Sequence, residues 1–228
     1  MNNENIEKRI LVTTDEISFR AIEEDDPSTG ERVRFIEGYA AVFNSRSKLI
    51  MEFGELFYEE IEPGAFRDVL ESPELDVYLT FNHSRDYIIG RTKSGTLILR
   101  EDETGLWFKA QMPETQVGHD TWELVKRGDL FENSFAFSVD NEGFRWTETE
   151  DDIPLRIITN VRRLVDVSVV THGAYSDTSV AARQLAEYRD SGDETPTEPE
   201  NDEIVEPQEI APIAEDTEKE RMKMKIKI

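Results

Sequence analysis

Three residues in this sequence combine the side-chain types needed for acyl transfer with positions in or at the end of apolar strands: His83, Ser134 and Asp166. Hydrolysis through a covalent intermediate needs a nucleophile, a base that takes its proton, and an acid that fixes the tautomer of the base. The chain has no cysteine, so the nucleophile would have to be a hydroxyl. Ser134 lies in "FENSFAFSVD". In strand geometry Phe135, Phe137 and Val139 line one face there, and Ser134, Ala136 and Ser138 the other. The bulky face reads as core. The bare face suits a crowded sheet contact, a solvated surface, or a floor left open for a substrate.

His83 closes "DVYLTFNH", where Val77, Leu79, Phe81 and His83 share one side by period two. That spacing places the imidazole at the end of an apolar stripe, anchored by packing and still reachable, as a general base requires. Asp166 interrupts "RRLVDVSVV". Val165, Val167 and Val169 form one face there, and Leu164, Asp166, Ser168 and Val170 the other. A carboxylate inside an apolar strand is costly unless it is paired or hydrogen-bonded. Plainer explanations exist for both residues. A backbone carbonyl satisfies a strand-end histidine equally well, and Asp166 has a backbone amide, Arg162 or Arg163 as alternative partners. Chain order does not define a triad, so spacing alone leaves the choice open.

Other chemistries find little support. The histidines are His83, His119 and His172, with no HExxH arrangement and no carboxylate cluster at metal-ligand spacing. "GRTKSGT" has neither the Walker pattern nor GxGxxG, so no metal or cofactor is expected. His119 reads as surface. A formal net charge of -24 argues against a nucleic-acid partner, because phosphate binding draws on clustered Lys and Arg. The start, "MNNENIEKRI", lacks an apolar signal core, and no apolar run approaches the roughly 20 residues of a membrane helix. The expectation is a soluble protein of a reducing cytoplasm, with no membrane partner.

The elements that must position these residues are mostly strands. "VRFIEGYAAVF", "LDVYLTFNH", "GTLILRED", "GLWFKAQM", "SFAFSV" and "RIITNVRRLVDVSVV" are short, rich in β-branched and aromatic residues, and separated by turn residues. A hairpin is predicted to turn at "EDETG". Helices are predicted in "PGAFRDVLES", in "TQVGHDTWELVKRGDL" with Gly128 as its stop, and in "TSVAARQLAEYR". The fold class expected is α+β: a mainly antiparallel β-barrel or bent sheets with a few peripheral helices.

A folded domain is expected over residues 8–188 and a disordered tail over 189–228. The tail segment "SGDETPTEPENDEIVEPQEIAPIAED" is rich in Pro, Glu and Asp and poor in aromatics, so it buries too little apolar area to offset its ordering entropy. "RMKMKIKI" follows, alternating cation and hydrophobe. It reads as a frayed terminus, or as a strand added to a partner's sheet edge.

With these residues in view, the chain resembles the prohead maturation proteases of tailed bacteriophages. The resemblance spans roughly residues 19–185. It is carried by "EGYAAVFNS", "EEIEPGAF", "FNHSRDYIIGRTKSGTLIL", "KRGDLFENSFAFSV" and "LVDVSVVTHGAYSDTSVA". It implies an assemblin-like fold, similar to the herpesvirus serine proteases built on a closed β-barrel. It also implies a serine endopeptidase inside the procapsid in the host cytoplasm. Its substrates would be scaffold, the major capsid protein precursor and the protease itself, with homo-oligomers an option. On the family's blocks the base falls on His83, the nucleophile on Ser134 and the acid on Asp166, with His172 as the rival third member. Assemblins stabilise the oxyanion with adjacent arginines, which points to Arg162 and Arg163. The bare face of the serine strand would then leave room for a peptide. The alternative is an inactive structural protein of the phage head or tail on the same architecture.

Overall fold

In the computed structural model, which describes residues 6–10, 19–52 and 55–171, strands dominate. Among these residues thirteen strands, numbered in chain order, form three sheets. The first has the order β1 (Glu7–Ile10), β10 (Glu132–Ser138), β13 (Arg163–Val170), β6 (Tyr78–Phe81) and β7 (Ser84–Arg91). The second has the order β2 (Arg20–Asp25), β3 (Arg32–Val42), β9 (Gly105–Gln111) and β8 (Leu97–Glu101). The third has the order β11 (Phe144–Thr147), β12 (Leu155–Ile158), β5 (Glu55–Ile61) and β4 (Ile50–Glu52). Pairing is antiparallel except for β13 with β6 and β12 with β5.

The expected barrel does not close among the described residues. Closure requires the two edge strands of a sheet to pair with each other. Here the edges of the first sheet are a four-residue β1 and a β7 whose Arg85–Tyr87 segment bulges out of register and is exposed. The predicted final helix and the tail lie outside the described residues.

Local chemistry accounts for the connections. The β8–β9 hairpin turns where Asp102 Oδ1 accepts the amides of Thr104 (2.9 Å) and Gly105 (3.2 Å). A Cβ on Gly105 would lie 2.0 Å from the Ala41 carbonyl oxygen, so the hairpin closes only with glycine there. Helix α1 (Arg67–Glu71) is a short turn. Helix α2 (Gln116–Arg127) is capped by the Thr115 hydroxyl and stopped by Gly128 in the left-handed conformation. "RIITNVRRLVDVSVV", read as one strand, is two. Thr159 and Asn160 both donate to the Gly143 carbonyl, at 2.8 and 3.0 Å, and the chain then passes from β12 into β13 of another sheet.

The core lies against one face of the first sheet. Phe135 stacks on Phe137 with centroids 4.9 Å apart, and Phe66 meets Phe135 edge-on at 6.0 Å. Leu79, Val167 and Val169 are fully buried beside them. A β-bulge adjusts which side chains point inward. Ala136 pairs with Asp166 but Phe137 pairs with Leu164, so Val165 is the extra residue. Leu164 therefore joins the core, which strict alternation did not foresee, and Asp166 stays in phase with Ser168 on the opposite face.

A group of buried charges ties β1 to the third sheet. Glu7 and Arg156 are completely buried, and Arg9 and Glu59 nearly so. Arg156 donates to both Glu7 oxygens (2.6 and 3.0 Å) and to Glu59 Oε2 (3.0 Å). Arg9 donates to Glu59 (2.6 and 3.1 Å) and to Glu7 (2.7 Å). Two cations and two anions balance. Removing one partner strands a buried charge, so Arg156→Met is expected to cost about 3–5 kcal/mol, read from the denaturant midpoint at constant slope. Replacing all four residues with apolar ones should cost far less.

Burial works against ionisation of Glu7, but the guanidinium groups of Arg156 and Arg9 outweigh it and hold its pKa below the ordinary 4.5. A folded pKa below the unfolded one gives stability that is present above pH 4.5 and lost as pH falls through the folded value. Urea midpoints should therefore drop on acidification below that range, less steeply in Glu7→Gln.

Candidate active site

β6 and β7 are joined by the two-residue turn Asn82–His83, and both residues have positive φ, 51° and 55°. Two such residues in a row make the mirror-image turn that suits the twist of a hairpin. Glycine ordinarily fills the second place. A left-handed non-glycine residue costs roughly 1 kcal/mol or more, so surrounding contacts must hold His83 there. Asn82 donates its amide to the Val169 carbonyl (2.9 Å), and its side-chain oxygen accepts the Thr171 amide (3.0 Å). The His83 amide donates to the Ser168 hydroxyl at 2.8 Å.

The turn swings the imidazole across β13. His83 Nδ1 lies 2.7 Å from Asp166 Oδ1, and its Nε2 lies 2.9 Å from Ser134 Oγ. A carboxylate only accepts, so Nδ1 carries the proton and Nε2 is left to accept from the serine hydroxyl. The strand register sets these distances. Ser134 is opposite Ser168 across β10 and β13, Ala136 is opposite Asp166, and Ser168 is opposite Thr80 across β13 and β6. Ser134 and Asp166 thus stand on one face of neighbouring strands, with His83 arching over from the hairpin. Such an arrangement can take a proton from Ser134 and hold the resulting imidazolium against Asp166.

The structure brings together three of the six residues singled out from the sequence. His83 is on the polar face, not in line with Leu79 and Phe81, because the positive-φ turn breaks the period of two. Arg162 and Arg163 are not at the serine. Arg163 pairs with Ser138, four positions from Ser134, which is about 13 Å at the usual strand rise. Arg162 donates to Asp140 Oδ1 at 2.8 Å. That register gives no support to the oxyanion role expected of the two arginines. His172 lies outside the described residues. His119, expected at the surface, is half-exposed and bonded to Arg34 and Glu114.

Nor is the bare face open. Ser134 and Ser168 are completely buried, Ala136 is 2 % exposed, and the side chains of His83 and Asp166 are 5 % and 6 % exposed. Small side chains on β10 serve close packing here. A cavity of about 630 Å³, lined by Arg46, Glu148, Thr149, Glu150, Asp151 and Leu155, shares no residue with the His83–Ser134 pair.

Sequence reasoning missed two parts of this region. Asn133, fully buried on the other face of β10, donates to the Tyr39 carbonyl at 2.7 Å and so anchors the strand of Ser134 to β3. Ser168, seen only as a member of a small face, supports the turn that carries His83. Its position between Asp166 and the end of the strand was the available signal.

A sequence profile of the caudovirus prohead serine protease family matches residues 18–191. No curated protein matches in sequence. Among solved structures, the capsid assembly protease of bacteriophage T4, gp21, aligns at 10 % identity with a TM-score of 0.40. The alignment covers 72 % of this chain and 98 % of that one.

Proposed function

This chain belongs to the caudovirus prohead serine protease family, and from that premise we propose that it is a working serine endopeptidase of the phage procapsid. Ser134 is the nucleophile, His83 the base and Asp166 the acid. The observation that carries this reading is one imidazole hydrogen-bonded to a serine hydroxyl at one nitrogen and to a carboxylate at the other. As a peptide carbonyl approaches, Ser134 Oγ bonds to its carbon and the hydroxyl proton passes to His83 Nε2. Asp166 steadies the imidazolium, which then protonates the leaving amine. Water repeats the sequence on the acyl-enzyme.

The complete burial of Ser134 supports a closed resting form that a substrate must open. We take the substrates to be the scaffold, the leader segment of the major capsid protein precursor, and the chain itself. The protease domain is assigned to residues 8–188. The acidic segment after it is assigned to spacing or to recruitment by scaffold or capsid.

The test is to assemble proheads from the cognate capsid precursor and scaffold with either the wild type or Ser134→Ala, and to follow intact masses. Trimmed capsid precursor, scaffold and protease with the wild type alone are expected, and the masses locate the cleavage sites. Full-length masses in both preparations would overturn the reading.

A further inference from the structure

The peptidase reading gives the buried Ser168 hydroxyl no part in the reaction. Ser168 is completely inaccessible, yet its hydroxyl has four hydrogen-bond contacts, the weakest a donation shared with the Val169 carbonyl at 3.4 Å, and the others reach His83 and Thr80. It accepts the His83 backbone amide at 2.8 Å and the Thr80 hydroxyl at 3.2 Å, and it donates to the Thr80 carbonyl at 3.2 Å. Thr80 is itself completely buried. In a two-residue hairpin turn the strand ladder gives the second turn residue no partner for its amide, and that residue here is His83 at φ 55°. Ser168 supplies that partner from the neighbouring strand, two residues from Asp166. The same strand thus holds the base by its backbone through Ser168 and by its ring through Asp166.

Resting on the peptidase reading, we infer that Ser168, oriented by Thr80, is the positioning residue for the catalytic base. It fixes the Asn82–His83 turn so that the imidazole reaches Ser134 and Asp166 together. With alanine at 168 the His83 amide has no acceptor, and the turn relaxes toward conformations its left-handed histidine prefers. The ring then spends less time aligned with both partners. Ser168 touches no reacting atom, so binding of a substrate or reagent is untouched and only the chemical step slows.

The probe is diisopropyl fluorophosphate, which needs no knowledge of the natural substrate. Ser134 Oγ forms a bond to phosphorus, the P–F bond breaks, fluoride leaves, and the hydroxyl proton passes to His83. Saturation kinetics separate the maximal inactivation rate from the reagent's binding constant. Ser168→Ala should lower the maximal rate about 10- to 100-fold, the equivalent of one buried donor left without its acceptor. Thr80→Val should lower it about two- to ten-fold, as expected for one neutral hydrogen bond. Both should leave the binding constant unchanged. The low-field proton resonance of the His83–Asp166 hydrogen bond should weaken in step with the rate.

A residue that served only stability would lower the unfolding midpoint while the folded fraction reacted at the wild-type rate, and that outcome overturns the inference. If Ser168→Ala does not fold, Thr80→Val decides: a folded variant reacting like the wild type overturns it equally. The reagent is applied to proheads in which the wild type is trimming its substrates. Wild-type protein that trims them yet is never modified at Ser134 would overturn the assignment of Ser134 and the inference with it.

Discussion

Replacing Ser134 by alanine is expected to slow peptide-bond hydrolysis by about 10⁴- to 10⁶-fold, the loss seen when a triad nucleophile is removed. The size follows from the arrangement at the site. Ser134 Oγ is the atom 2.9 Å from His83 Nε2, and the neighbouring positions on its face are Ala136 and Ser138. Ser138 lies at the far end of β10, opposite Arg163, and the Ser168 hydroxyl is held by the His83 amide and Thr80, so neither stands at His83 Nε2 to take over. The fold should survive. One atom is lost from a packed face, and His83 keeps both its amide bond to Ser168 and its ring bond to Asp166. Hydrolysis of a peptide spanning a mapped cleavage site, measured beside the unfolding midpoint, separates chemistry from stability. A variant retaining more than a few per cent of wild-type activity would place the nucleophile elsewhere.

Asp166→Asn is the second large effect, about 10⁴-fold in kcat with KM little changed. The two side chains have nearly the same shape, so the strand register and the bulge at Val165 are preserved. What changes is the set of donors and acceptors. The carboxylate only accepts, which keeps the His83 proton on Nδ1 and the lone pair on Nε2 toward Ser134. An amide can turn its NH₂ to Nδ1, which moves the proton to Nε2 and leaves the serine without a base. His172→Ala is the comparison. A small effect at Asp166 with a large one at His172 would reverse the assignment of the third member.

The site was legible to the extent that its residues broke the patterns around them. Asp166 interrupts an apolar strand, Ser134 begins a run of small residues, and His83 follows an asparagine at a strand end. Pairing geometry was not legible. A period of two carried past Phe81 puts His83 on the core face, because nothing in the sequence announces two successive left-handed residues without glycine. The bulge at Val165 is equally silent, and it moves Leu164 from one face to the other.

Whether a face of small residues is open or packed depends on what covers it, and alternation alone does not carry that information. The Glu7–Arg9–Glu59–Arg156 group did leave a trace. Glu59 falls in phase with Phe57 and Ile61, and Arg156 sits among Leu155, Ile157 and Ile158. A charged residue in phase with a core stripe needs an opposite charge, and pairing the two strands would have suggested one.

The order of strands in the first sheet also bears on how the protein is made. β13 is the last strand in the chain among the described residues, yet it lies in the middle, between β10 on one side and β6 on the other. Synthesis releases the β6–β7 hairpin first, then β10, and neither has the other as a neighbour. The ribosome must deliver residues up to Val170 before a strand exists that can join them, and that same strand brings Asp166 and Ser168. A nascent chain therefore carries His83 and Ser134 in separate pieces. His83, Ser134 and Asp166 come together only when translation of this region is finished, so on the peptidase reading the topology itself delays the hazard of proteolysis during synthesis.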